Sequence, residues 1–460
     1  MKMNKSARFV LSLALMLSTY SFAAEAQSPS EIRVHLSTSS ALQPIYVAKA
    51  QLIQATLDST YLQELDAIFQ RDLNHNSSTK VCARSNEKEQ LLLDKQPSVA
   101  LSPATWKSFG IPFVVQWTIS GKTLKASAFN AQNGSIKNFP DISLSGDLAQ
   151  DRKQIHKLSD GIYKALFNVD GVMNSHILFA YQVKNPRPDG KEWISEIWEC
   201  DWDGANVKQV THENSYCVSP VLLPHSSRYG NDSFLYVSYK DGQPKIFIAS
   251  VQEGVGKRLI DLRGNQFLPT ISPQRDKVAF ISDAAGRTDL FLQPFNPASG
   301  ELGKPSQLYS YPRSTQASPT FSPDGSKIAF VSDKDGGMRI YVIPTALSAK
   351  RPNAVMISKE NRENSCPSWS PDGTKLAYSA KTNGIRQIWI YDFGAGEEWQ
   401  LTSGPGNKEN PCWAPNSRHL VFNSTDDATS ELYVVNLNQP EAMKISRGPG
   451  KKHYPTWGAR

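Results

Sequence analysis

The chain has 460 residues, 39% hydrophobic and 20% charged, with a formal net charge of +7 at pH 7. The basic excess is spread thinly, without a block of like charges, which suits acidic partners and excludes a nucleic-acid footprint. Five cysteines, with no C-x-x-C pair, exclude a disulfide scaffold and a zinc ribbon and leave one or two bridges or buried thiols.

The first element is a leader. Lys2, Lys5 and Arg8 precede an apolar run from Phe9 to Leu17, and Ala24-Glu25-Ala26 forms an A-x-A cleavage site, with Ala23 as an alternative. The run is about half the length a membrane span requires, so 1–26 reads as a secretory signal peptide. No later stretch is apolar enough to span, which predicts an exported chain with no membrane span in its mature part.

Residues 27–170 read as a small α/β domain. EIRVHLS and QPIYVAKA are strand-like, and Tyr61, Leu62, Leu65, Ile68, Phe69 and Leu73 recur at helical spacing. TKVCARS reads as a strand and PATWKSFG as a short helix with proline in its first turn. IPFVVQWTIS, KTLKASAFN and GSIKNFP follow as strands, joined at Gly121-Lys122 and Asn133-Gly134. Ile155, Leu158, Ile162 and Leu166 mark a second helix, with only a short link to what comes next.

Residues 171–460 repeat. Pro220, Pro269, Pro319, Pro367, Pro411 and Pro455 recur at intervals of 44–50 residues. Such a period marks a stacked or circular array. In the clearest unit SPTFS is a strand, SPDG a β-turn, and KIAFVS, MRIYVI and NAVMIS are three further strands. Four short antiparallel strands per unit describe a propeller blade. The unbroken apolar run Ile328-Ala329-Phe330-Val331 predicts a sheet buried on both faces. Unit one lacks a P-x-W strand, and Tyr454–Trp457 supplies it from the far end, closing a ring without a long exposed edge. The reading is six-bladed. Units three and six replace the turn's Asp-Gly with Gln274-Arg275 and Asn416-Ser417, and unit two carries the insertion LPHSSRYGNDSFLYV.

Catalytic signatures are missing: no G-x-S-x-G, no H-E-x-x-H and no Gly-rich phosphate loop. Asp333, Asp335 and Gly336 read as a hairpin turn rather than a calcium loop, and the eight histidines do not cluster in sequence. Neither a metal nor a cofactor is expected. Binding is what remains, and the loops before each innermost strand gather on one face of a ring, free to vary while the ladders hold the scaffold.

The leader, the domain with QPIYVAKAQ, the HKLSDGIYKALFNVDG helix, the P-x-W-S-P-D-G-x-K units and the terminal YPTW together resemble the TolB family, periplasmic proteins of the Tol–Pal system. The resemblance implies an α/β N-terminal domain followed by a six-bladed β-propeller whose C-terminal strand closes the first blade. It also implies a non-enzymatic hub in the periplasm, supporting outer-membrane integrity and invagination during division. A Pal-like peptidoglycan-associated lipoprotein would meet Asn265, Leu268, Ala317, Ser365, Glu409 and His453. A TolA-like inner-membrane protein would meet the extended segment Gln27, Ser28, Pro29, Ser30, Glu31, Ile32 and Arg33. The competing readings are a propeller lyase or glycosidase and a cell-wall carbohydrate binder.

Overall fold

The structure, a computed structural model, describes residues 32–35, 42–94, 96–187, 190, 192–224, 233–346, 353–439 and 441–460. The leader, Gln27–Glu31 of the extended segment and most of the unit-two insertion lie outside the described residues. Among those described, no helix is long and apolar enough to cross a membrane.

An α/β body precedes a β-propeller. The α/β sheet runs Thr79–Val81, Gln43–Val47, Phe113–Ser120, Thr123–Asn130, Ser135–Asn138, with Gln51–Ile53 and Ile142–Ser143 as short additions. Its first pairings are parallel and its later ones antiparallel. Successive side chains of Ile45-Tyr46-Val47 point to opposite faces, and both faces are covered. Ile45 and Val47 pack with Leu65, Phe69, Ile155 and Ile162 of the helices Ser59–His75 and Leu148–Phe167. Tyr46 packs instead with Leu92 and Trp106, from the short helices Asn86–Leu92 and Pro103–Ser108. A strand covered twice explains the run without alternation. The helix Asn86–Leu92 is not anticipated by periodicity: it is two turns long, set by Ser85 accepting from the Lys88 amide.

The clearest repeat folds as read. Gln316–Phe321, Lys327–Ser332, Arg339–Pro344 and Val355–Met356 form one antiparallel sheet in chain order. The S-P-D-G turn closes on itself, Gly325 N donating to Ser322 O at 2.8 Å and Asp324 accepting from Ser322 Oγ and the Ser326 amide. Gly325 takes φ +68°, and where units three and six lack glycine, Arg275 and Ser417 adopt the same left-handed conformation. Ile328 and Phe330 pack toward the preceding sheet, with Ala279 and Ile281. Ala329 and Val331 pack toward the next, with Leu376 and Tyr378. That division is the two-sided burial the apolar run implied.

Among the described residues four antiparallel sheets stand separately, three of four strands and one of five, and an eight-stranded sheet completes the ring. In it Lys451–Ala459 pairs antiparallel with the strand Ser175–Lys184 from Ser175 to Gln182, as the terminal YPTW implied. Lys451-Lys452-His453 lies within this strand, and Lys452 is buried beside Glu431 at 3.4 Å. All five cysteines are free thiols.

Two features tie the bodies together. Asp160 takes the amides of Met173 and Asn174, both at 2.9 Å, which fixes the turn from helix to ring. The last carbonyls of the helix Ser59–His75 have no acceptor role inside the helix, and the ring caps them: Gln439 Nε2 donates to Asn74 O at 2.7 Å and His419 Nε2 lies 2.6 Å from His75 O.

EIRVHLS is placed differently from its reading. Arg33–Val34 pairs with Thr402–Ser403 of the propeller, not with the α/β sheet. Ile32 and Val34 are buried with Leu401, Trp413 and Leu420. The alternation correctly signals one buried face; nothing in it names the surface that buries it.

Candidate functional site: the channel face of the propeller

The six innermost strands share a distortion at one position. Ser219, Leu268, Ser318, Cys366, Asn410 and Tyr454, each immediately before the repeated proline, all have φ between 48° and 53°. At each the register with the second strand shifts, the mark of a β-bulge. Non-glycine residues rarely adopt this conformation, and proline disfavours helical backbone before it. The same bulge therefore recurs at the same position of all six innermost strands. Side chains there meet across neighbouring strands: Ser318 Oγ lies 3.9 Å from Cys366 Sγ, and Cys366 Sγ 3.0 Å from Asn410 Oδ1. Burial pushes the Cys366 thiol up, and a protonated thiol is a poor nucleophile.

Replacing Ser318 by valine, which tolerates positive φ poorly, is expected to destabilise the protein by roughly 1–2 kcal/mol, while Ser318→Gly is neutral or stabilising. Urea midpoints check this; equal midpoints for the two variants would show that the bulge is not strained.

The predicted partner residues all fall at this end of the strands, but only Asn265 lies in a loop. Leu268, Ala317, Ser365, Glu409 and His453 are inside the strands, beside the bulge. The loops end earlier than the prolines imply, because the strand passes through the kink instead of starting after it. Asn265 is engaged by its own blade, its amide and side chain both bonding Asp283 at 2.6 and 2.7 Å. Ala317 and Leu268 pack partly into inter-sheet clusters. Ser365 and Glu409 are brought together by Arg386, whose Nη1 donates to Ser365 Oγ at 3.2 Å and whose Nε lies 3.5 Å from Glu409. Burial raises the Glu409 carboxyl, with Arg386 opposing. Burial, aided by Lys451, holds His453 down at about 4.

The sequence reading missed the outer ring of this face. Tyr239, Tyr311, Met338 and Ile385 are exposed, Tyr239 and Tyr311 in connections, Met338 in an isolated bridge and Ile385 at the start of a strand, at the end where the innermost strands begin. Tyr216 stacks edge-on to Tyr239 at 5.6 Å. Their signal was available, since each sits beside a D-G or N-G turn or just ahead of an innermost strand. Among the described residues, the helices and sheet of the α/β body bond the opposite strand ends, through Asn416–His419 and Asn438–Gln439.

A family model described as the TolB beta propeller domain matches residues 163–460. The chain belongs to the TolB family. It is 48% identical to a protein of Protochlamydia amoebophila named Protein TolB homolog, covering 86% of this chain and 85% of that one. It is 42% identical to a protein of the same name from Chlamydia caviae, over 68% of this chain and 71% of that one. The solved structure of TolB from Acinetobacter baumannii shares the fold, with a TM-score of 0.70 at 19% identity, over 94% of this chain and all of that one. The TolB relationship thus takes in the α/β body as well as the ring.

Proposed function

We propose that this chain is a non-enzymatic, periplasmic protein-binding hub of the Tol–Pal system. Its channel face takes a Pal-like lipoprotein, and its segment Gln27–Arg33 engages a TolA-like inner-membrane protein. The observation that carries the reading is the channel face itself, where exposed Tyr239, Tyr311, Met338 and Ile385 surround polar, bulged strand starts. Aromatic and methionine side chains within a polar rim are the composition of protein interfaces. The docking of Ile32 and Val34 on the ring supports the second contact: a short pairing can open when a partner favours the released state.

The same reading takes the ring as six-bladed. The eight-stranded sheet is joined between Ser430 and Lys451 by a single parallel pairing, a seam at which it divides into two blades. It also takes 1–26 as a leader, 27–170 as the α/β domain and 171–460 as the propeller.

Purified Pal-like and TolA-like proteins from the same envelope test both contacts. Met338→Glu and Ile385→Glu are expected to weaken the lipoprotein contact at least about tenfold, the cost of burying an unpaired charge, and to spare the TolA-like one. Deletion of 27–33 is expected to do the reverse. Unchanged binding in either arm removes that arm of the hub.

A further inference from the structure

The seam between the α/β body and the ring buries a group of charges that the partner contacts do not use. The helix Leu148–Phe167 sets His156 against the end of the strand Trp193–Asp201 and the turn after it. His156, Asp72 and Trp202 are wholly buried. His156 Nδ1 lies 2.8 Å from one oxygen of Asp72, and the Trp202 indole donates to the other at 3.2 Å. Asp72 therefore fixes the imidazole and leaves Nε2 as the free ring nitrogen. Nε2 is buried without a hydrogen-bond partner, a costly state whether it bears a proton or a lone pair. A ring nitrogen of His156 and one carboxylate oxygen each from Asp201 and Asp203 lie within 4.8 Å of one another.

The charges around this point are unequal in burial. The side chains of Asp72, Asp201 and Asp203 are 0% exposed and that of Glu199 5%. Arg71 and Arg152 both reach Asp203 Oδ2, Arg460 bridges Asp201 and Glu199, and Lys208 reaches Glu199. Of these cations Arg71 and Lys208 have side chains 42% and 56% exposed, so water screens much of their charge. Asn206 Nδ2 donates to Asp201 Oδ2 and the Ala205 amide to Asp203 Oδ1, neither adding charge. Four buried carboxylates thus face two well-buried guanidiniums, Arg152 and Arg460, and the His176 imidazole, whose Nδ1 lies 2.7 Å from Glu199 Oε1.

We propose that this seam is a divalent transition-metal site, with His156 Nε2, Asp201 and Asp203 as ligands and Asp72 as the carboxylate orienting the imidazole. One imidazole with two carboxylates suits zinc and its neighbours, whereas calcium and magnesium take oxygen ligands alone. A carboxylate behind the ligating histidine is the usual outer partner of such sites. His156 belongs to the α/β body and the aspartates to the ring, so the ion fastens one to the other, and its binding stabilises that placement.

The full chain without its leader, stripped with EDTA, is titrated with Zn²⁺, Co²⁺ and Ca²⁺. The expected result is one ion per chain, a visible Co²⁺ absorption band, and a rise in unfolding midpoint with Zn²⁺ that Ca²⁺ does not reproduce. Asp72→Asn is expected to weaken Zn²⁺ binding roughly 10–100-fold, and His156→Gln to abolish it. The Trp202 indole N–H resonance, broadened by Co²⁺, locates the ion in the unaltered protein, so the test survives a variant that fails to fold. No Co²⁺ band and an unmoved Trp202 resonance overturn the site and leave His156 as an imidazolium clamped between carboxylates. Equal responses to Ca²⁺ and Zn²⁺, or undiminished binding in a folded His156→Gln, overturn it as well.

Discussion

Deleting residues 451–460 is expected to abolish cooperative unfolding of the propeller. The strand Lys451–Ala459 lies between strands from the two ends of the ring, pairing along Ser175 to Gln182 on one side and touching Ser430 on the other. It also brings Trp457, buried against Val172, Phe179 and Val421, with its indole donating to Ser175 Oγ at 2.6 Å. Arg460 adds bonds to Asp201 and Glu199 at 2.6 and 3.2 Å. Trp457→Ala alone is expected to cost about 3–5 kcal/mol, from lost burial plus the cavity left behind. The deletion removes that side chain and an entire ladder, exposing a strand edge as well. Urea unfolding followed by far- and near-ultraviolet circular dichroism separates the two variants. A truncated chain with the parental midpoint and near-ultraviolet signal would show that the ring does not depend on this closure.

Acid is expected to loosen the contact between the two bodies, through His419. Its ring is fully buried, with Nε2 donating to His75 O and Nδ1 set beside the Asn416 amide, 3.0 Å from Nδ2 and 3.3 Å from Oδ1. Burial is the main cause that holds its pKa down at about 4; the His75 carbonyl opposes, and the charges of His75 and Arg418 add to the depression. His75 is lowered as well, again chiefly by burial. Because the folded value lies below the unfolded one of about 6.5, the unfolded chain takes up a proton that the folded chain refuses. The contribution is therefore complete above about pH 6.5 and declines as pH falls toward 4, by about 3 kcal/mol for His419 alone. His419→Gln keeps a neutral donor and is expected to flatten the dependence of unfolding free energy on pH across that window by about one proton. Parallel slopes for the variant and the parent would mean that His419 does not govern the acid response.

The repeat was the most legible part of the chain, because each unit announces itself through a proline, a tight turn and a two-sided apolar strand. Tyr454–Trp457 could be assigned to the first unit on the same grounds. The residues named for the candidate face were read as loop, and all but Asn265 lie inside strands. A residue just ahead of a repeated proline looks like the last of a loop, whereas Leu268 and Ala317 lie within strands that bulge and continue. Arg386, which joins Ser365 to Glu409, comes from the adjacent hairpin and leaves no spacing to find. The charged seam was invisible for a related reason: His156 stands 84 residues from Asp72 and 46 from Trp202, so its chemistry exists only once two bodies meet. Ile32 and Val34 show the intermediate case, in which alternation gives the buried face and tertiary structure gives the surface it meets.

The closing strand also sets the order in which the molecule can mature. Trp457 is made 282 residues after Ser175, its bonded partner. A nascent chain can assemble the intermediate blades as they emerge, whereas its first blade waits with an open edge for the last. Contacts so distant in sequence form slowly, and unpaired strand edges on partly folded chains invite association with other chains. Premature termination close to the end of the message should for this reason do more harm than its length implies, yielding a nearly complete ring that no downstream residue can seal.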